Sequence, residues 1–344
     1  MVPCSLCERM PAEPNTSQPS PPRPERKLGR ILLTVAVTVA VFWLVFRKVD
    51  ARKTLDALKS SDPGLVALAI LVSLVANTLI GADKWRRILH GMGCWLSFRE
   101  ALFIRLGCAP IRFTFPAKSG ELFKAIYVQQ NQGLPFLRGA SSLVVDKLLN
   151  MWGMLFFLFV GIPFLGEKVP MSAVVLPVLF VVLPMLLWML RRHVYAVLGK
   201  LHGRVRSLAE QLLSAFEEMS TARKIGLFAY SVLFQVSELV TSYILAYAVG
   251  IEPSVEFRHM FIIVPIVVVL ASAPWAISGI GVREPSIAGL FYFYGYGPLE
   301  KSMAVGILVS AVEYVCPILV GLPFMPPFLK RIDIAWRKPN EAPL

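Results

Sequence analysis

The chain has 344 residues, 56% apolar and 17% charged, and its mean hydropathy of +0.63 is more than a water-soluble fold can hide. Its formal net charge of +13 is crowded between apolar runs, which fits cytoplasmic loops and anionic headgroups. Nucleic acid is not an expected partner, since no basic run is interleaved with stacking aromatics, and Cys4, Cys7, Cys94, Cys108 and Cys316 form no secreted disulfide framework.

Residues 1–29 are rich in Pro and Ser and lack apolar periodicity, so a disordered cytoplasmic tail is expected. Cys4-x-x-Cys7 has the spacing of half a zinc site, but no second pair or nearby His completes four ligands, and no metal is expected. Ile31–Phe46 reads as the first span, retained as an anchor because Arg47 and Lys48 follow it with no small-x-small cleavage site. The second span, Gly64–Ala82, is expected to stop at Asp83-Lys84-Trp85-Arg86-Arg87, a basic cluster with an interfacial Trp that marks the cytoplasmic face. The loop before it, with Arg47, Lys48, Arg52, Lys53 and Lys59 against Asp50, Asp56 and Asp62, runs against that orientation.

From Phe98 to Gln130 two half-length apolar pieces are broken by Pro110, Pro116 and Gly120 and carry Arg105, Arg112, Lys118, Glu121 and Lys124. Broken helices at membrane depth persist only where protein or a wet cavity surrounds them, so this segment reads as a re-entrant hairpin entering from the cytoplasmic side. Full spans follow at Leu143–Leu165 and Ser172–Leu190. Beyond Arg191 and Arg192, apolar residues from Val194 to Met219 recur at helical steps, which predicts an amphipathic cytoplasmic helix over 193–222. Ile225–Val249 returns outward, Phe257–Trp275 heads back and breaks at Pro274, Gly279 and Gly281, and Ile287–Tyr296 turns outward again. Met303–Phe324 is the last span, and its basic flank places the tail, 331–344, in the cytoplasm.

The expected fold is an all-α polytopic membrane helix bundle over residues 30–330, with about six full spans and two broken re-entrant hairpins. Residues 64–165 and 225–325 share one layout of span, broken hairpin and span. Charge topology starts the first unit outside and the second inside, which points to an inverted repeat about an axis in the membrane plane.

Ionisable groups at membrane depth are costly and tend to face cavities. Phe115-Pro116-Ala117-Lys118-Ser119-Gly120-Glu121, with Lys124, joins a glycine that admits close backbone approach to a helix start whose free N–H groups suit an anion. Ser278-Gly279-Ile280-Gly281-Val282-Arg283-Glu284 repeats that logic, with Arg283 able to grip a phosphate in bidentate fashion and Glu284 able to pair or orient it. The alternative for each is an internal Lys–Glu or Arg–Glu pair that locks the hairpin. Asp146 has Lys147 or Arg105 as a candidate partner, Glu238 and Glu313 have no obvious local one, and Tyr292, Tyr294 and Tyr296 read as an interfacial belt. There is no HExxH, Asp-rich metal pattern or GxxxxGK[ST], so neither an enzyme nor a cofactor is expected.

The succession DKWRRIL, FPAKSGELFKAI, VVDKLLNMWG and PWAISGIGVREPSIAGL resembles the membrane region of lysylphosphatidylglycerol synthases and their stand-alone flippase-like relatives, over about residues 30–330. The resemblance implies handling of a polar-headed lipid, since fused members resemble flippases for aminoacylated phosphatidylglycerol and lone members accompany glycolipid or isoprenoid-lipid pathways. It also gives Lys118, Glu121, Arg283 and Glu284 a headgroup-binding role. After Phe328 only a short polar tail follows, so the soluble aminoacyl-transfer domain is expected to be missing.

Residues and resemblance together lead to a translocator of a polar-headed lipid, anionic or glyco-/isoprenoid, in a bacterial cytoplasmic membrane with both termini inside. Its headgroup contacts are expected from Lys118, Gly120, Glu121, Lys124, Gly279, Gly281, Arg283 and Glu284, supported by Arg105, Arg112, Asp146, Glu238 and Glu313. Its partners are then membrane lipids. The alternative is a non-transporting accessory subunit that docks a lipid- or glycosyl-transferase, and an intramembrane lipid-modifying enzyme is third.

Overall fold

The computed structural model describes residues 50–114, 120–164, 219–272, 279 and 281–332, and every regular element among them is helical. The 1–29 tail, the spans Ile31–Phe46 and Ser172–Leu190, Lys118, and most of the 193–222 helix lie outside these residues.

A short helix, α1 (Ala51–Lys59), precedes the first repeat unit. That unit comprises α2 (Pro63–Gly91), the half-length α3 (Phe98–Thr114) and α4 (Leu122–Gln132), and α5 (Phe136–Phe164). The second comprises α6 (Thr221–Ala248), the half-length α7 (Phe257–Ala271) and α8 (Arg283–Phe293), and α9 (Leu299–Lys330). Among the described residues α2, α5, α6 and α9 are long and apolar enough to cross a membrane. Each displays large apolar side chains outward, such as Leu71, Phe159, Leu233 and Leu319, which are more than half exposed. In water that would be a liability; in lipid it is the expected contact surface.

Local chemistry fixes where these helices begin. The Asp62 carboxylate accepts the N–H groups of Gly64 and Leu65 at 2.7 and 3.1 Å, with Pro63 in the first helical position, so α2 starts abruptly. Ser220, in extended backbone, accepts from Arg223 N and starts α6. Thr221 and the residue after it belong to α6, and Met219 just before it is buried against Ile88, Leu149 and Leu227; residues 193–218 of the expected surface helix lie outside the described residues.

The two units run in opposite directions. Asp62 N donates to Ala248 O at 2.8 Å, bringing the start of α2 to the end of α6, while Tyr230 Oη donates to Asp83 Oδ2 at 2.7 Å near their other ends. The half-helices follow suit. The α4–α5 turn lies at one pole, where Asn131 donates to Arg331 O, and the α8–α9 turn lies at the other, where Lys301 donates to Gly250 O. Packing is reciprocal as well, with α3 against α9 and α7 against α5. A small sequence echo marks these contacts: Gly161-Ile162-Pro163-Phe164 and Gly321-Leu322-Pro323-Phe324 each end in a 3-10 turn. A Cβ on Gly161 would lie 3.0 Å from Phe261 O, and one on Gly321 would lie 2.5 Å from Leu106 O, so each glycine lets a long helix close on the other unit's half-helix. The inverted arrangement expected from charge and length is thus present in the helix directions.

One boundary differs from expectation. The helix over Gly64–Ala82 does not stop at the basic cluster but continues to Gly91, and Lys84 and Trp85 are buried rather than interfacial, at 2% and 1% exposure. Helical periodicity explains it: Lys84, Trp85, Ile88 and Leu89 share the core face, while the ring of charges around Asp83 closes on itself through Arg86 and Arg87 at 2.6 and 2.7 Å. At the C-terminal end, Ile332 belongs to the same core cluster as Phe328.

Candidate functional site

Each hairpin brings charge into the interior of the bundle, against the long helices. In the first unit α3 and α4 meet closely, since a Cβ on Gly120 would fall 2.3 Å from Ile111 O, and this apposition carries Glu121 inward. Glu121 is buried and pairs with Lys147 of α5 at 3.0 Å and with Arg112 of α3 at 3.5 Å. Beside it, Lys84 of α2 pairs with Asp146 of α5 at 2.8 Å and donates to Asn150 Oδ1. Asp146 therefore makes its direct ion pair with Lys84, while Lys147 and Arg105, the partners expected from sequence, act on it only at longer range. Arg105 instead donates through Nε to Asn77 O, in a π-helical turn, Ala76–Ile80, at the centre of α2. A π turn displaces the regular carbonyl ladder and frees an acceptor for such a contact.

Lys124 differs from its neighbours. It is 4% exposed, yet among the described residues its ammonium makes no hydrogen bond or ion pair, and lies 5.7 Å from the Trp85 ring centroid. With Arg105 and Arg112 it lines a partly open recess between α2, α3, α4 and α9, whose other walls include Asn77, Cys108 and Pro317.

In the second unit Arg283 opens α8, is 4% exposed, and pairs with Glu313 of α9 at 2.5 Å while its guanidinium lies 5.2 Å from the Tyr314 ring centroid. Glu313 and Tyr314 sit in a second π turn, Ala311–Val315, the counterpart of the one in α2. Glu313, without an obvious partner in the sequence, thus has one 30 residues away. Glu238 of α6 lies close enough to Arg283 to act on it electrostatically. Glu284 accepts the Gly281 N–H at 2.7 Å and so fastens the turn before its own helix. Gly279 and Gly281 have φ of +89° and +86°, a left-handed backbone that suits glycine.

The proposed site residues therefore fall into two groups rather than one. Glu121, Lys124, Arg105, Arg112 and Asp146 gather at the first hairpin, while Arg283, Glu284, Glu238, Glu313, Gly279 and Gly281 gather at the second. Helix α6 links them: Gln235 donates to Asn150 O at 3.3 Å, one turn from Glu238. Sequence reasoning did not assign Lys84, Asn77, Asn150 or Gln235 a part here; the polar amides inside apolar runs were a usable signal, whereas Lys84 was masked by its charged neighbours.

The aromatic belt is only partly as expected. Tyr292 is 62% exposed, but Tyr296 is buried, bonding to the His259 ring and accepting the Glu256 N–H at 3.2 Å. Burial and the neighbouring Tyr296 push the Tyr294 hydroxyl up to about 12. Among the described residues no group of three or more His, Cys, Asp or Glu is placed to hold a metal.

Comparison with known proteins agrees with this architecture. The family profile described as "Lysylphosphatidylglycerol synthase TM region" matches residues 31–321. The chain is also 28% identical over 134 residues to "Glycosyltransferase AglD" of Haloferax volcanii, a stretch that covers 38% of this chain and 20% of that protein. A match across both repeat units, together with the four long apolar helices, shows that this is a multi-pass membrane protein belonging to the lysylphosphatidylglycerol synthase transmembrane-region family.

Proposed function

We propose that the chain translocates a polar-headed lipid, anionic or glyco-/isoprenoid, across a bacterial cytoplasmic membrane, with both termini inside and without catalysing a covalent change. The observation that carries this reading is the pair of opposed half-helix hairpins, each holding buried charge against the long helices inside the bundle. Such charge persists where it serves a polar path, and opposed broken helices are the building plan of many alternating-access transporters. The linked residues Asn150, Gln235 and Glu238 supply a polar seam between the hairpins along which a headgroup can pass while its tails stay in lipid.

Reconstitution into vesicles with fluorescent anionic lipid tests it. Wild type is expected to scramble the label, and Glu121→Ala and Arg283→Ala to slow it about tenfold or more; equal rates for all three proteins would remove these residues from any translocation path. A second reading, an accessory subunit docking a lipid- or glycosyl-transferase, draws support from the glycosyltransferase relative, whose matched stretch is a fifth of a longer chain. Copurification of a transferase with a scrambling-inactive wild type favours that reading.

A further inference from the structure

The first hairpin is electrically unbalanced. Four enclosed cations, Lys84, Arg105, Arg112 and Lys124, surround two carboxylates, Glu121 and Asp146, leaving two positive charges in excess among the described residues, while Lys147, whose side chain is 47% exposed, reaches Glu121 from the outside. The second hairpin is the reverse, with one arginine among Glu238, Glu284 and Glu313. Excess cations inside a membrane protein are expensive unless an anion offsets them. Lys84, Lys147 and Arg112 take the close contacts of both carboxylates, so the buried ammonium of Lys124, which feels Glu121 only at longer range, borders the recess with no hydrogen-bonded or ion-paired acceptor among the described residues.

We infer that the Lys124 recess holds the phosphate of a lipid whose headgroup carries about two negative charges, a terminal phosphomonoester or a diphosphate. This rests on the translocator reading and narrows its substrate class. A phosphodiester brings a single charge, whereas a phosphomonoester brings about 1.5 to 2 at neutral pH, closer to what the recess lacks. Two arginines present planar forks and Lys124 a compact charge, a donor set that fits phosphate oxygens. The apolar wall of Leu106, Ala109 and Pro317 suits the first carbons of a lipid rather than bulk water, which separates a headgroup from free phosphate.

The test is a titration of the full chain in detergent, read by native mass spectrometry, with short-chain phosphatidic acid, short-chain phosphatidylglycerol, inorganic phosphate and pyrophosphate. Wild type is expected to bind phosphatidic acid at least tenfold more tightly than phosphatidylglycerol and than either free anion. Lys124→Met abolishes that preference and Lys124→Arg keeps it. Because Lys124 is a buried cation without a hydrogen bond or close ion pair among the described residues, Lys124→Met is also expected to raise the unfolding temperature of the lipid-free protein, where loss of a structural contact would lower it. Equal binding of the two lipids, unchanged binding by Lys124→Met, or a lowered unfolding temperature overturns the inference, and binding of inorganic phosphate as tight as that of phosphatidic acid overturns its lipid part. None of these readouts involves transport, so their failure leaves the scrambling assay to judge translocation separately.

Discussion

Lys84 shows how a single side chain can be misread and why its true setting matters. A run of Asp-Lys-Trp-Arg-Arg after an apolar segment has the composition of a membrane-surface anchor, but helical geometry turns its second and third residues into the core, where Lys84 meets Asp146 at 2.8 Å. Removing one member of such a pair strands a buried charge. Lys84→Met is therefore expected to lower stability by about 3–5 kcal/mol, and Lys84→Met/Asp146→Leu to recover most of it, as read by thermal unfolding in detergent. A double variant as unstable as the single one would mean that the pair is not what holds this site. Cys94, in the turn after α2, provides a second check: burial pushes its thiol up to about 11, so it holds its proton at pH 8 and the thiolate fraction rises only as pH climbs toward that value. Maleimide is expected to label Cys94 at least a hundredfold more slowly at pH 8 than an exposed cysteine; comparable rates would contradict its burial. The glycine-flanked charges Glu121 and Arg283 were legible because they interrupt apolar sequence, but their partners Lys147 and Glu313 were not, since each pairing crosses from one helix to another and leaves no local spacing to read.

At the scale of the elements, the half-helices depend on close approach to the opposite unit. Gly161 on α5 and Gly321 on α9 occupy matching places, and valine at either would drive a branched side chain into the backbone of α7 or α3. Each substitution is expected to cost about 1–3 kcal/mol of stability. Gly226, around which nothing lies within 4 Å, is the control, and Gly226→Ala is expected to leave stability unchanged or raise it by up to about 1 kcal/mol. Equal effects at all three positions would show that helix propensity, not interunit packing, governs them. The half-helix pattern was visible in the sequence through proline, glycine and charge within short apolar runs. The π turns in α2 and α9 were not, because the groups that meet them, Arg105 at the Asn77 carbonyl and Arg283 at the Glu313 carboxylate, come from other helices.

For the whole molecule, span lengths and flanking charge were enough to anticipate two inverted units, while the separation of charge between them emerged only from the assembled helices. The first unit carries an excess of cations and the second an excess of carboxylates around one arginine, so the two ends of a translocation path would present a headgroup with different chemistry. Such a path requires the two hairpins to enter from opposite faces. Single cysteines replacing Gln132, in the last turn of α4 before the α4–α5 turn, and Pro298, in the α8–α9 turn, report it directly in a background where the native cysteines are replaced. In sealed vesicles of known orientation, a membrane-impermeant maleimide is expected to label Gln132→Cys from the cytoplasmic side alone and Pro298→Cys from the other side alone. Labelling of both positions from one side would contradict the inverted arrangement and, with it, the proposed path.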